Sequence, residues 1–213
     1  MGITARDEQI KEFLAKFKYA TTNQIHTLFF NGRTLRMAQE RLKKLVGHKY
    51  IRRVSTGRDS PYCYTLTGKY SAQLHHHLMI VDVYLYLKEI AGNEGELVFD
   101  PLHYRTFKYN GKTIEFVPDA FIMLQSKCGR KLLAYLEVEL QPARKVYSKI
   151  KHYELYYLSG AYRKEWWYAL GKGEDIFPRI IVLSPRADKY RDAVKRGQRA
   201  NLTWQFVKGV GEI

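Results

Sequence analysis

The chain has two cysteines, Cys63 and Cys128, in 213 residues. Two thiols cannot build a disulfide framework or a four-cysteine zinc site, and they suit a reduced, cytoplasmic protein. No apolar run reaches the roughly 18 residues that a membrane span needs, so no membrane partner is expected. The N-terminal stretch has no apolar core, so no secretory signal is read there. Gly171-Lys172-Gly173 lacks the surrounding frame of a P-loop. No Ser-His-Asp order or Cys-His pair emerges from the spacing, and no internal repeat is visible. Acidic residues are in short supply, 21 against 36 lysines and arginines, for a net charge of +15 and a pI near 9.7. Such an excess suits a polyanionic partner. A hydrophobic fraction of 46% and 17 tyrosines leave ample material for packed cores.

The positive charge is uneven. Residues 1–70 hold 14 lysines and arginines against 5 acids, and residues 71–213 hold 22 against 16. Within the basic first third, Ile10, Phe13, Leu14 and Phe17 repeat at helical spacing and define a first helix, Ala5 to Phe17. A second runs from about Thr22, its expected N-cap, to Phe30, with Ile25, Leu28 and Phe29 inward. Asn31-Gly32 is a turn signal. A third helix, Thr34 to Leu45, has Leu35, Ala38, Leu42 and Leu45 as its apolar side. Arg33, Arg36, Gln39, Arg41, Lys43 and Lys44 are left for solvent or a partner. Tyr50–Val54 and Tyr62–Leu66 alternate like two strands around a polar loop, and carry Arg52, Arg53 and Arg58 on or between them. Three helices followed by a basic ribbon read as a winged helix-turn-helix over residues 1–70. A helix of this size fits the major groove, and a basic hairpin beside it reaches the backbone or minor groove. Double-stranded DNA is the partner expected, with Arg36 and Gln39 placed for base contacts and the ribbon cations for phosphates. The competing reading is a protein–protein module with a merely solvated basic face.

Residues 71–92 form a long helical pattern that connects the two halves. Its consecutive His75, His76 and His77 point about 100° apart and cannot easily share one metal. From residue 93 to 213 short strands and helices alternate. The strands are Glu96–Phe99, Tyr104–Tyr109, Thr113–Leu124 interrupted by Pro118-Asp119, Lys131–Leu140, Arg179–Leu183 and Leu202–Val207. Asn110-Gly111 marks a hairpin. The helices are Arg144–Tyr162 and Ala187–Gly197. The expected class is α+β, the winged helix being followed by a mixed-sheet α/β domain. Tyr147, Tyr153, Tyr156, Tyr157, Tyr162, Trp166, Trp167 and Tyr168 crowd one region. Core packing against the sheet is the expected use of these rings, and base stacking on single-stranded DNA the rival.

Acidic residues in the second half carry the chemistry. Glu137 and Glu139, two apart on one strand, share a face. A hairpin brings Asp119 close to them. Acids on adjacent strands can hold Mg²⁺ or Mn²⁺ and activate water for phosphodiester cleavage. Acids at strand ends are also commonly solvated or paired with nearby cations. An otherwise apolar strand carries them only at a cost unless they have partners.

The order of these elements, with P-D followed by E-x-E, resembles the PD-(D/E)-x-K nuclease fold. The resemblance implies that Asp119 and Glu137 bind a metal, and that a lysine assists the attacking water. Glu139 stands where that lysine belongs, so little or no cleavage is expected. Arg144, Lys145 and Lys149 on the following helix are the candidates to replace it. The chain as a whole resembles the replication-relaxation family of Gram-positive plasmids, phages and integrative elements. The shared features are Tyr64-Thr65-Leu66-Thr67 with Gly68 one place early, the His77–Asp82 helix, the P-D stretch, the E-x-E strand, Lys149-x-x-x-Tyr153 and Phe177-Pro178-Arg179-Ile180. The resemblance implies a DNA-binding protein of a mobile element, acting in its replication, its relaxation or their control. A homodimer and replication or relaxation proteins of the element are the further partners expected. The alternatives are a metal-dependent endonuclease or nickase targeted by the winged helix, and a dimeric transcription regulator.

Overall fold

The computed structural model describes residues 2–55, 61–101, 103–129, 131–140 and 146–213. The chain divides into two compact units, Met1–Tyr86 and Leu87–Ile213. Each mixes helices with strands, and the class is α+β. Among the described residues no helix is long and apolar enough to cross a membrane.

The first unit begins with α1 (Ala5–Phe17), β1 (Ala20–Thr21), α2 (Thr22–Phe29) and α3 (Leu35–Gly47). It continues with β2 (Arg52–Val54) and β3 (Cys63–Thr65). A reciprocal capping box starts α1: the Thr4 amide donates to Asp7 Oδ2 at 2.7 Å and the Asp7 amide to Thr4 Oγ1 at 3.4 Å. Helix α2 is capped by Thr21, one residue before the expected Thr22. Thr21 ends β1, where its pairing with Cys63 gives it the extended backbone of an N-cap. Thr22 is already helical, and its hydroxyl donates to the Tyr62 carbonyl at 3.4 Å.

Ile10, Leu14, Ile25, Leu42 and Leu45 are at most 1% exposed and form the centre of the three-helix packing. Burial of each such side chain contributes roughly 1.5–3 kcal/mol. Leu35 departs from its expected inward position and is 39% exposed. The whole stretch Asn31–Met37 is exposed, and the buried stripe of α3 starts a turn later at Ala38. The strands order as β1-β3-β2, both outer strands antiparallel to β3. Helix α4 (Leu74–Ala91) runs across the boundary between the units. In its first part Leu78 O and Asp82 Oδ1 accept from Gln24 Nε2 at 3.0 and 2.7 Å, and His77 lies buried beside the Tyr19 ring.

The second unit holds β4 (Glu96–Pro101), β5 (Arg105–Tyr109), β6 (Lys112–Phe116), β7 (Ala120–Gln125) and β8 (Lys131–Val138). After these come α5 (Val146–Leu158), β9 (Arg179–Leu183), α6 (Ala187–Gly197) and β10 (Trp204–Val207). The main sheet orders as β10-β9-β8-β7-β4. Strands β4, β7 and β8 pair antiparallel, and β8, β9 and β10 pair parallel. Each parallel step has a helix in its connection, α5 then α6, as a crossover requires. Strands β5 and β6 form a separate hairpin. Asn110 and Gly111 both have positive φ, 47° and 75°, the backbone of a tight primed turn.

Two expected elements are corrected. Thr113–Leu124 is not one interrupted strand: it is β6 and β7, which lie in different sheets. Pro118 between them has no amide to give a ladder. The helix expected over Arg144–Tyr162 is observed over Val146–Leu158, and residues 141–145 lie outside the described residues. It stops before Gly160, which takes a left-handed φ of 67°. Short 3₁₀ turns follow at Ala161–Lys164 and Trp166–Gly171.

The core of this unit is aromatic. Phe116, Phe121, Tyr135, Tyr153, Tyr156, Tyr162 and Trp167 are at most 2% exposed. The crowded rings read from the sequence thus mostly fill the core. Trp166 is the exception at 53% exposure, and the side chain of Tyr147 lies outside the described residues. Gly95 is required where α4 turns into β4. A Cβ there would sit 2.2 Å from the Ala91 carbonyl oxygen and 2.9 Å from that of Gln125.

Candidate functional site

In the first unit, Arg33, Arg36, Gln39, Lys43 and Lys44 are exposed at and along α3, and Arg52 and Arg53 are exposed on β2. Arg36 Nε donates to Glu40 Oε1 at 3.1 Å, but the two side chains are 85% and 60% exposed. Such a pair contributes little and exchanges readily for another anion. The Arg53 guanidinium lies 4.5 Å from the centre of the Tyr62 ring, which supports it from below. The expected residue Arg58 lies outside the described residues.

Arg41 does not belong to this exposed set. Its Nε donates to Asp7 Oδ1 at 2.9 Å, and its Nη2 donates to Asp7 Oδ2 and, at 2.9 Å, to the Gly2 carbonyl. The Asp7 side chain is fully buried. A buried carboxylate needs such a partner, and Arg41 provides it while tying α3 to α1. The Arg41 hydrogen bonds, outweighing burial, hold the Asp7 carboxyl down at about 2.

In the second unit, three acids and one lysine meet. The Asp119 amide donates to the Leu136 carbonyl at 3.0 Å, and Asp119 Oδ2 accepts from the Val138 amide at 2.7 Å. This double contact ties the Pro118-Asp119 segment to the end of β8. Glu137 is on β8 and 3% exposed. Glu139 lies just past the strand, its amide donating to the Leu183 carbonyl of β9 at 2.9 Å. Lys149, from the first turn of α5, donates to Glu137 Oε2 and pairs with Glu139 Oε1. One turn further along α5, the Tyr153 hydroxyl donates to Glu137 Oε1 at 2.8 Å. From α6, the Tyr190 hydroxyl donates to Glu139 Oε2 at 3.3 Å. Glu137, Glu139, Lys149, Tyr190 and Trp204 border a cavity of about 10 Å³, the size of roughly one water.

The electrostatics follow from this count. Burial, then the neighbouring Asp119, pushes the Glu137 carboxyl up to about 7, against the pull of Lys149 and Tyr153. Burial works against the Lys149 ammonium, but Glu137, Asp119 and Glu139 outweigh it and hold its pKa above the usual lysine range. Three carboxyl groups against one ammonium leave the cluster short of positive charge.

Among the described residues no group of three acidic, histidine or cysteine side chains is arranged to share a metal ion. A three-carboxylate cage therefore does not fit, and Glu139 serves as a partner of Lys149. Asp119 and Glu137 remain as two hard oxygen donors in a cluster short of positive charge. Carboxylate oxygens are the ligand type that Mg²⁺ or Mn²⁺ takes, while here Glu137 Oε1 and Oε2 accept from Tyr153 and Lys149 and Asp119 Oδ2 accepts from the Val138 amide.

The structure thus brings together Asp119, Glu137, Glu139 and Lys149 of the expected catalytic set. Lys145 and Arg144 lie outside the described residues. Tyr153 entered the sequence reading as one of the crowded rings and as part of a motif but not as a site residue, although its place four residues after Lys149 puts both on one helix face. Tyr190 and the buried Asp7 gave no signal at all, since each depends on a contact 34 or more residues away. In comparisons with known proteins, no family model, no curated protein and no solved structure matches the chain.

Proposed function

We infer that the protein binds duplex DNA through a winged helix formed by its first unit. The observation that carries this reading is the run of exposed side chains at α3 and on β2: Arg33, Arg36, Gln39, Lys43, Lys44, Arg52 and Arg53. The order α1-β1-α2-α3-β2-β3, with β1 completing the ribbon, supports it. In this reading α3 enters the major groove and the cations on β2 hold phosphates. The resemblance to replication-relaxation proteins makes the setting the replication, relaxation or control of a mobile element. Binding of the full chain to random duplex oligonucleotides across a salt series tests it. A steep fall in affinity with salt is expected, and affinity indifferent to salt would contradict the reading.

A second reading is favoured by one observation, the pairing of Lys149 with Glu137 and Glu139. It makes the second unit a nuclease of the PD-(D/E)-x-K kind, its lysine supplied by α5 instead of β8. Asp119 and Glu137 would hold the metal, which supplies a Lewis acid and a more acidic bound water. Tyr153 fixes one oxygen of Glu137, and Lys149 fixes the other. Glu139 and Tyr190 hold the ammonium in place, leaving a positive charge beside the position of a scissile phosphate. Supercoiled DNA incubated with the protein in Mg²⁺ or Mn²⁺ separates the readings. Nicking that is lost in both Asp119→Ala and Lys149→Ala supports the nuclease. An intact substrate leaves the second unit as a scaffold.

A further inference from the structure

At the opposite end of β8 from Glu137, six residues or about 20 Å along the strand, the second unit opens into a groove of about 700 Å³. Its floor includes Leu133 and Phe177, and its walls are Trp166 and Leu170, each 53% exposed. Trp166 is held edge-on by Phe121, with ring centres 6.1 Å apart and planes at 79°. The ring therefore touches the aromatic core on one side while half its surface meets solvent. Exposed Lys131, Lys172 and Arg179 stand around the groove, against one acid, Glu96, among the described lining residues. Lys172 sits at a positive φ of 50°, the cap that ends the Trp166–Gly171 turn. Arg179 is steadied by Gln205 at 3.1 Å.

Apolar lining, one exposed indole and a cationic border match an aromatic anion. A groove of this volume is of the size that takes small organic ligands, and a polymer can thread it because it is open. Bases stack on an indole face regardless of sequence, and phosphates pair with lysine and arginine. An acidic peptide would use the cations but has no need of a flat exposed ring. We propose that this groove binds a short stretch of single-stranded nucleic acid, a base stacking on Trp166 and its flanking phosphates meeting Lys131, Lys172 and Arg179. The inference stands on the groove itself and does not need the first unit to bind duplex.

Fluorescence anisotropy of a labelled eight-nucleotide oligothymidine tests it, using the full chain with Arg36→Ala and Arg53→Ala so that α3 and β2 contribute less. That parent is expected to bind the oligonucleotide. Adding Trp166→Ala should weaken binding roughly tenfold, as loss of one stacked base does, and Trp166→Phe should retain most of the affinity. Adding Lys131→Gln with Lys172→Gln should weaken binding and flatten its salt dependence. Unchanged affinity in Trp166→Ala would overturn the proposal, as would equal competition by an acidic peptide or by an eight-base-pair duplex. If Trp166→Ala melts abnormally, the two exposed lysines decide the matter alone. Failure of the Arg36→Ala and Arg53→Ala parent to bind at all also overturns it, whatever the duplex affinity of the unsubstituted chain.

Discussion

Lys149 on α5 bonds Glu137 on β8, and in doing so ties a crossover helix to the strand that precedes it. The lysine is 33% exposed at its side chain and the glutamate 4%. The ammonium thus bridges a buried acid and the solvent-facing rim of the cluster, with Glu139 on its other side.

Removal of that ammonium is expected to be costly and pH-dependent. Lys149→Ala leaves Glu137 buried without its cation, at about 2 kcal/mol, reduced from the value for a fully buried pair because the lysine is partly exposed. The Glu137 pKa is already raised, to about 7. A raised acid contributes stability that is full below its unfolded pKa and is lost as pH rises through the folded one. Without Lys149 the carboxyl rises further and takes up a proton at low pH. Urea unfolding should therefore show a larger deficit for Lys149→Ala at pH 8 than at pH 5.5. An equal deficit at both would mean that the lysine acts only through packing.

Asp7 and Arg41 give the opposite sign. The Asp7 carboxyl is lowered from 3.8 to about 2. A lowered acid contributes stability that is present above its unfolded pKa and is lost as pH falls through the folded one. The contribution is on the order of 2 kcal/mol and should disappear between about pH 4 and pH 2. Arg41→Ala should destabilise the first unit near neutral pH and remove that acid-side loss. Thermal melts of the two proteins across this window check it: identical acid profiles would show that the pair has no energetic role.

The sequence exposed much of this through periodicity and little of it through contact. Helix α1 and strand β9 were legible to the residue because their apolar spacing is uninterrupted. The mixed sheet with its flanking helices followed from the alternation of strand and helix patterns, whereas the parallel pairing of β8 with β9 was not read. The N-cap of α2 was misplaced by one because Thr21 and Thr22 are equivalent as letters, and only the pairing of Thr21 with β3 distinguishes them. Arg41 looked like its exposed neighbours because nothing local reveals a buried carboxylate 34 residues earlier. The convergence of Asp119 on Glu137 was readable from the hairpin. That Lys149 reaches these acids was not, because it depends on where α5 lies across the sheet.

Gln39 is expected to read a base and the β2 cations to hold phosphates. An amide side chain in mid-helix can form a two-pronged contact to adenine, whereas a basic ribbon mostly sets register. Selection of duplex sites from a random pool with Gln39→Ala should return a changed preference at one position. A uniform loss of affinity with the original preference intact would assign Gln39 to the backbone instead.

The central claim is that the exposed cations of α3 and β2 grip the DNA backbone. The most direct measurement is the slope of log affinity against log salt for a fixed duplex, for the full chain and for Arg36→Ala combined with Arg53→Ala. Each phosphate contact contributes about 0.9 to that slope. The double variant is expected to bind more weakly and to lose roughly 1 from the slope, the share of the Arg53 phosphate contact, because Arg36 is placed on a base. Unchanged affinity and slope would contradict the account.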